Sequence, residues 1–210
     1  MAVVCIIASC KKKEHQDSTP QPVTYASYLP LKAGNYWIYE NFNLDTNGNY
    51  TSTGIIDSDY VAGDTLVNGT TYFKWLRNNS TLGASTYIVR DSLHYIVDII
   101  GAKLFSSQNF TDTFDVSYGY SSPAHTDTIY FRYFKMDGSN VSVFVPAGTF
   151  ITQDAKTTYI LYPPFSNGLA NPRYINLYYA ENVGLVYETL QPYTSMPTYT
   201  VKKLIRYHLN

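Results

Sequence analysis

Four dipeptides that favour tight turns divide the chain: Asn47-Gly48, Asn68-Gly69, Asp137-Gly138 and Asn167-Gly168. Asn-Gly and Asp-Gly tolerate the positive φ angles that two-residue hairpin turns require. Apolar and polar residues alternate between such turns, as at Val141, Val143 and Val145, and this is the pattern of a strand with one buried face. The sequence therefore predicts a fold made mainly of antiparallel β-hairpins.

Tyrosine is the outlier of the composition, with 22 residues beside 10 Phe and 2 Trp in a chain of 210. Flat aromatic side chains are favoured in pleated sheets, where they pack across strands. Alternation is also clear near the end of the chain, where Val201 and Ile205 belong to an apolar set and Lys202 and Arg206 to a polar one. We expect the polar set to face solvent.

The number of hairpins constrains the shape of the sheet. No segment has a persuasive apolar period of 3.6 residues, so very little helix is expected. The turns and alternating runs predict an all-β fold of roughly ten to twelve antiparallel strands in meander order. Open sheets rarely exceed about 10 strands without curling. We therefore expect a strongly curved sheet or half-open barrel, with a β-sandwich as the alternative.

The first residues carry a different signal. A short apolar run ends in two small residues and a cysteine, Ile6-Ile7-Ala8-Ser9-Cys10, and Lys11 to Lys13 follow at once. This stretch resembles a bacterial lipobox, in which a signal peptidase cuts before the cysteine and that cysteine is then acylated. The resemblance implies a lipid attachment site at Cys10 and a signal peptide over residues 1–9. The polar composition of the next residues predicts an acylated tether over 10–24, and the remaining length predicts a single all-β domain over 25–210.

The segment before Cys10 is shorter than a complete secretory signal peptide. Nine residues precede Cys10 and none is basic, whereas a secretory signal has a positively charged start and spans about 15–30 residues. We therefore expect the true start to lie upstream of Met1. The alternative is a cytosolic protein in which residues 2–8 form a buried strand. The lysine-rich stretch after Cys10 favours the tether, because it is a poor continuation for a core strand.

A lipoprotein of this kind is expected in the cell envelope, held at the outer membrane through the acylated Cys10. Stable anchoring takes more than one acyl chain, because each buried methylene contributes only about 0.8 kcal/mol. No apolar run after the signal approaches about 18–20 residues, so no transmembrane helix is predicted. The net charge is −1 without a basic stripe beyond the tether, so nucleic acid is not an expected partner.

Metal and disulfide chemistry are not indicated by the sequence. The only cysteines are Cys5 and Cys10; the first would leave with the signal and the second would be acylated. Four histidines lie too far apart in sequence for metal-ligand spacing: His15, His94, His125 and His208. We expect no metal site and no cofactor.

Three phrases carry a second resemblance: PLKAGNYW at 30–37, VPAGTF at 145–150 and YYAENVGLV at 178–186. They resemble a family of uncharacterised Gram-negative envelope lipoproteins that have these phrases in this order. The resemblance implies an all-β envelope lipoprotein and brings no established activity or catalytic residues. From the residues themselves, Pro146 and Gly148 suit a β-turn, and residues 182–184 can also reverse the chain. Architectural turns are therefore expected at both places.

Catalytic motifs are weak in this chain. It has no Gly-rich phosphate loop, nucleophile elbow or zincin helix. Asp57 and Asp59 share a strand face and could act as a pair or bind calcium, but a solvated strand face is the expected reading. Glycoside hydrolysis needs two carboxylates across a cleft, and the sequence does not show whether Glu40, Glu181 or Glu188 meets an Asp in this way. We therefore lean against an enzyme.

Binding is better supported than catalysis, because aromatic side chains bind sugar rings and acyl chains by stacking and burial. The candidates are Trp37, Trp75, Tyr130, Tyr178 and Tyr179. Most of these side chains could instead belong to the hydrophobic core. The favoured function is an envelope-anchored binding or structural module. The alternatives are a carrier of lipid or another hydrophobic ligand in a half-barrel cavity and a glycan-acting hydrolase. A carrier should contain a deep apolar cavity, a glycan binder an exposed aromatic strip, and a hydrolase two facing carboxylates.

Overall fold

A computed structural model describes residues 24–80, 83–122, 126–168, 170–190 and 199–210. The predicted acylation site at Cys10 lies outside these residues. The described chain contains twelve strands: β1 (Tyr36–Leu44), β2 (Tyr50–Val67), β3 (Thr70–Asn79), β4 (Gly83–Ser92), β5 (Tyr95–Asp98), β6 (Lys103–Ser106), β7 (Thr113–Tyr120), β8 (Thr128–Val145), β9 (Gly148–Leu161), β10 (Arg173–Ala180), β11 (Gly184–Thr189) and β12 (Tyr199–His208). A membrane-spanning helix is not found in this part of the chain.

All twelve strands belong to one antiparallel sheet, in the order β6-β5-β4-β3-β2-β1-β12-β11-β10-β9-β8-β7. Two meanders of six strands are joined where β1 pairs with β12, from Tyr36↔His208 to Leu44↔Tyr199. The sheet curls into a nearly closed barrel whose seam separates the edge strands β6 and β7. The predicted all-β fold and half-open barrel are confirmed, and the strands form one sheet instead of the two of a sandwich.

One end of the seam is closed by packing. The ring of Phe105 on β6 lies 4.9 Å from that of Tyr28 and 4.9 Å from that of Tyr179. The backbone N–H of Ser106 donates to Met136 Sδ on β8 at 3.3 Å. Phe105 and Met136 are almost wholly buried, so this end of the barrel is a solid core.

Three of the four predicted turn pairs lie between strands that pair with each other. Asn47-Gly48 lies between β1 and β2, Asn68-Gly69 between β2 and β3, and Asn167-Gly168 in the longer connection between β9 and β10. The prediction of a hairpin at Asp137-Gly138 is wrong, because this pair lies within β8. The register between β8 and β9 shifts on both sides of Gly138, as at a β-bulge, and such an irregularity bends the strand instead of reversing it.

Beyond this bulge, residues 139–151 form a hairpin, here called the β8–β9 arm, that packs on the outer face of the sheet. Its tip is the turn that follows Val145. The Val145 side chain is wholly buried. The backbone N–H of Ala147 donates to the carbonyl of Leu204 on β12 at 3.0 Å. The VPAGTF phrase therefore forms an architectural turn that docks the β8–β9 arm on β12.

The predicted solvent exposure of the polar face of β12 is wrong at Lys202, because the β8–β9 arm covers the opposite face of the strand. Because Val201 faces the arm side and is wholly buried, the alternate face of β12 must point into the barrel. Lys202, predicted to be solvated, is therefore buried in the interior, with an exposed fraction of 0%. Both faces of β12 are covered along this part of the strand.

Two of the three sequence phrases, at 30–37 and at 178–186, contact each other in the fold. The indole N–H of Trp37 donates to the carbonyl of Val183 at 2.6 Å, and a Cβ on Gly184 would lie 2.9 Å from Trp37 Nε1. The Asn35 side chain donates to the carbonyl of Pro30 at 2.8 Å and accepts from the backbone N–H of Asn210 at 2.8 Å. These phrases are thus explained by structural contacts.

Candidate functional site

A cavity of about 540 Å³ lies inside the curved sheet. Its walls come from β3, β4, β6, β7, β8 and β10 and from the turn before β6. The lining residues are Trp75, Arg77, Tyr87, Ala102, Lys103, Leu104, Phe114, Asp115, Arg132, Phe134, Leu177 and Tyr179. Because residues of both edge strands line it, the cavity opens at the seam.

Aromatic rings form the apolar walls. Trp75 on β3 pairs in register with Tyr87 on β4, and their rings lie 5.6 Å apart. On the opposite wall, Phe114 on β7 and Phe134 on β8 meet edge to face at 5.9 Å. Tilted and edge-to-face contacts of this kind are favourable between aromatic rings. The cavity therefore has aromatic, apolar walls of the kind that small-molecule sites use.

A buried ion cluster adjoins the cavity through Arg77, which is one of the lining residues. Arg77 Nε lies 2.9 Å from Asp59 Oδ2, and Arg77 Nη2 contacts Glu188 Oε2. Lys202 Nζ lies 3.4 Å from Asp59 Oδ1 and 3.7 Å from Glu188 Oε2. Two cations therefore balance two carboxylates. Buried charges require this kind of pairing, because an isolated ion in the interior is strongly disfavoured.

The protein surroundings reinforce the charges of the cluster. Burial opposes ionisation of Arg77, but Glu188 and Asp59 outweigh it and raise the Arg77 pKa above its ordinary value. The guanidinium carbon lies 4.7 Å from the Trp75 ring centroid, within cation–π range. Burial and the nearby charge of Asp59 raise the pKa of the Tyr39 hydroxyl, so this tyrosine stays neutral.

Asp57 and Asp59 are buried, contrary to the expectation of a solvated strand face. Asp59 belongs to the ion cluster, and Asp57 accepts hydrogen bonds from Asn41 Nδ2 at 3.0 Å and from the backbone N–H of Ser80 at 2.8 Å. The face of β2 that carries both residues points into the barrel, where these partners replace water.

Basic side chains mark the mouth of the cavity. Arg132 pairs with Asp115 at 2.8 Å and donates to Ser117 Oγ at 2.6 Å. Lys103 Nζ lies 4.6 Å from the ring centroid of Tyr95 and 5.6 Å from that of Phe114. No carboxylate pairs with Lys103 among the residues that the structure describes. The mouth therefore presents an ammonium group that has no counter-ion in the described part of the chain and lies beside apolar rings.

The five aromatic candidates from the sequence are separated by the fold. Trp75 and Tyr179 line the cavity. Tyr178, the neighbour of Tyr179 on β10, points to the outer face and lines a cleft beneath the β8–β9 arm. Trp37 is buried against Gly184, and Tyr130 packs over Gly119 of β7. Three of the five candidates thus line either the cavity or the cleft.

Sequence reasoning missed the charged part of the site. Arg77 stands two residues after Trp75 on β3 and therefore shares its face, but this spacing alone does not show that the face is internal. Lys103 and Phe114 come from short edge strands whose closeness depends on the curl of the whole sheet. A metal site is not formed in the described ranges, where no three His, Cys, Asp or Glu side chains cluster suitably.

The hydrolase alternative gains no support from the carboxylates. Asp59 and Glu188 lie in the same ion cluster, and both bind the cations Arg77 and Lys202. Glycoside hydrolases instead place two carboxyl groups on either side of the scissile bond. This pair is therefore arranged as a structural ion cluster.

Two solved structures resemble this chain. One is a presumed exported protein of Bacteroides fragilis with a YmcC-like fold, with 13% identity and a TM-score of 0.51 over 88% of this chain and 100% of that one. The other is a presumed lipoprotein of Parabacteroides distasonis, with 13% identity and a TM-score of 0.48 over 89% and 100%. No family model and no curated protein matches the sequence. The first likeness shows a shared fold.

Proposed function

We propose that this protein is an envelope lipoprotein whose β-domain binds an amphiphile, an apolar body with an acidic group, in the cavity of the sheet. The observation that carries this proposal is the cavity of about 540 Å³ with aromatic walls and Lys103 at its mouth. Ligand pockets typically measure about 300–1,000 Å³ and combine apolar walls with few polar groups. An acyl chain fits the walls, and an acidic headgroup fits the ammonium of Lys103.

The placement in the envelope has separate support. The run that ends at Cys10 resembles a lipobox, and the lysine-rich stretch after it suits a solvated tether. The Bacteroides fragilis protein that shares the fold is presumed to be exported. An exported domain held by a lipid anchor lies beside the source of amphiphilic ligands.

The lipid anchor is tested by mass spectrometry of the N-terminal peptide from a native membrane fraction. We expect a peptide that begins at Cys10 and carries two or three acyl chains, and a Cys10→Ala variant that lacks this peptide and leaves the membrane fraction. A wild-type peptide that retains the residues before Cys10 without acylation would contradict the anchor and leave the cavity proposal untouched.

Ligand binding is tested with dodecanoate and with dodecyltrimethylammonium, which share a chain and differ in the sign of the headgroup. We expect dodecanoate to bind more tightly, because Lys103 favours an anion. Leu177→Trp should weaken binding by about tenfold or more, because an added indole occupies space that the chain requires. Calorimetry measures both affinities. Tyr174→Trp is the matched control, since Tyr174 lies on β10 but on its outer, exposed side.

The tryptophans provide a second readout. The chain has 2 Trp; Trp75 lines the cavity and Trp37 does not. Dodecanoate should change the fluorescence of wild type, whereas a Trp75→Phe variant should bind without the change. Equal affinity of wild type and Leu177→Trp would rule out the cavity as the site.

Glycan binding is the second candidate function, and one observation favours it. Tyr118, Tyr120 and Phe131 form an aromatic strip on the outer face of β7 and β8, with Tyr118 54% exposed and ring centroids 5.0 to 6.5 Å apart. Exposed rings of this kind can stack on sugars. The same Leu177→Trp variant separates the two functions, because it leaves the outer strip unchanged.

A further inference from the structure

A second cleft of about 590 Å³ lies on the outer face of the sheet, beneath the β8–β9 arm. The sheet supplies Tyr50, Tyr178, Tyr187 and Lys203, and the arm supplies Val141, Ser142, Val143 and Phe144. Since Tyr178 and Tyr179 are neighbours on β10 and point to opposite faces, the cleft and the inner cavity lie on two sides of the same strand. They are separate sites.

Lys203 is the unusual residue of this cleft. The residue is 8% exposed, and its Nζ lies 3.0 Å from the ring centroid of Tyr50 and 5.4 Å from that of Phe42. Within the ranges that the structure describes, no carboxylate forms an ion pair with it. Lys202, the preceding residue, has two carboxylate partners inside the barrel. A lysine at this depth without an anion is poorly compensated.

The walls around Lys203 select the rest of a ligand. The rings of Tyr178 and Tyr187 meet edge to face at 5.4 Å, and Phe144 is 73% exposed on the opposite side. Flat faces of this kind stack on planar or ring-shaped groups. Tyrosine hydroxyls can donate hydrogen bonds to an oxyanion. The cleft therefore combines an ammonium group, aromatic faces and hydroxyl donors.

We infer that the cleft beneath the β8–β9 arm is a second binding site, which takes a carboxylate borne on a ring, with Lys203 as the counter-ion. Glu40 lies opposite Lys203 on β1 but forms no ion pair with it, so a bound carboxylate would be the direct counter-ion of the ammonium group. The ring lies between the tyrosines and the β8–β9 arm. Aromatic acids and acidic sugars share this chemistry.

Two carboxylates face this wall from neighbouring strands. Glu40 on β1 pairs in register with Lys203, and its Oε1 accepts a hydrogen bond from Ser52 Oγ. Asp154 on β9 pairs in register with Tyr178. Burial raises the pKa of Asp154 to about 7, and the pKa of Tyr178 is raised to about 12 by burial and, secondly, by the charge of Asp154. At pH 6 Asp154 is therefore mostly protonated and does not repel an anion. Burial lowers the Lys203 pKa, so a mildly acidic pH favours its ammonium form.

The test is calorimetric titration at pH 6 with benzoate and glucuronate and with their neutral counterparts, benzamide and methyl glucoside. We expect saturable binding of one or both acids and at least about tenfold weaker binding of the neutral counterparts, because a charge-assisted hydrogen bond is lost. Benzoate alone would identify an aromatic acid, and tighter binding of glucuronate an acidic sugar. Binding of neither acid would overturn the inference.

Variants locate the binding. Lys203→Met keeps the apolar stem and should weaken acid binding about tenfold or more, whereas Lys32→Met, at an exposed lysine, should not. If Lys203→Met does not fold, Val143→Trp fills the cleft with the ammonium in place and should also prevent binding. Leu177→Trp, in the inner cavity, should leave acid binding unchanged. Equal affinity of wild type and folded Lys203→Met, or of wild type and Val143→Trp, would overturn the assignment.

Discussion

Replacing Arg77 with methionine should lower the free energy of unfolding by about 3–5 kcal/mol, because removal of one partner leaves buried charges uncompensated. Arg77 Nε lies 2.9 Å from Asp59 Oδ2, and its Nη2 contacts Glu188. In the variant, Lys202 would face both carboxylates from 3.4 and 3.7 Å. Urea unfolding followed by circular dichroism measures the loss.

Arg132→Met is the matched control for this prediction. Arg132 also pairs with an aspartate, but the side chains of Arg132 and Asp115 are 32% and 51% exposed, so its loss should not exceed about 1 kcal/mol. A double variant that adds Glu188→Gln to Arg77→Met should recover part of the stability, since the two remaining charges, Asp59 and Lys202, then pair with each other. Equal losses for Arg77→Met and Arg132→Met would contradict a buried, mutually dependent cluster.

Gly184→Ala should be the second severe substitution, with a loss of about 2–4 kcal/mol from overpacking and backbone strain. Gly184 has φ +108, and its added Cβ would lie 2.9 Å from Trp37 Nε1 and 3.1 Å from Cε2. The indole is held by its hydrogen bond to the Val183 carbonyl at 2.6 Å and is 1% exposed. It has no room to move aside.

Gly48→Ala separates the two causes. Gly48 has φ +85, but no atom lies within 4 Å of the position that its Cβ would take. This control carries backbone strain without a side-chain contact, about 1–2 kcal/mol. The difference in unfolding free energy between the two variants measures the contact with Trp37, and a difference near zero would mean that the contact relaxes without strain.

The all-β fold was predictable because its signals are local. The turns at Asn47-Gly48 and Asn68-Gly69 follow from the need for positive φ, and both glycines have it, at +85 and +76. The same reasoning predicted a hairpin wrongly at Asp137-Gly138, where a bulge bends β8. A dipeptide records the backbone conformation that it tolerates, and tertiary contacts decide whether the strand reverses or bends.

The candidate site was harder to predict because it depends on which face of each strand is enclosed. Alternation separated Val201 from Lys202 correctly, but the β8–β9 arm covers the apolar face and the barrel encloses the polar one. The burial of Asp59 follows from the same closure, since its partner Lys202 is supplied by β12, which is distant in sequence. Sequence patterns assign side chains to faces, whereas the curl of the sheet assigns faces to the interior.

The pairing of β1 with β12 also governs how this chain reaches its fold. Tyr36 pairs with His208, so the contact that joins the two meanders closes a loop that contains most of the domain. Closing so long a loop loses more chain entropy than forming a hairpin does, and folds dominated by distant pairings fold slowly, in roughly milliseconds to seconds. During that interval β1 presents an open edge to its surroundings. For a chain made from its N-terminus, the first meander must wait with this edge unpaired until β12 arrives, and this interval is where a partner that shields strands from aggregation would matter most.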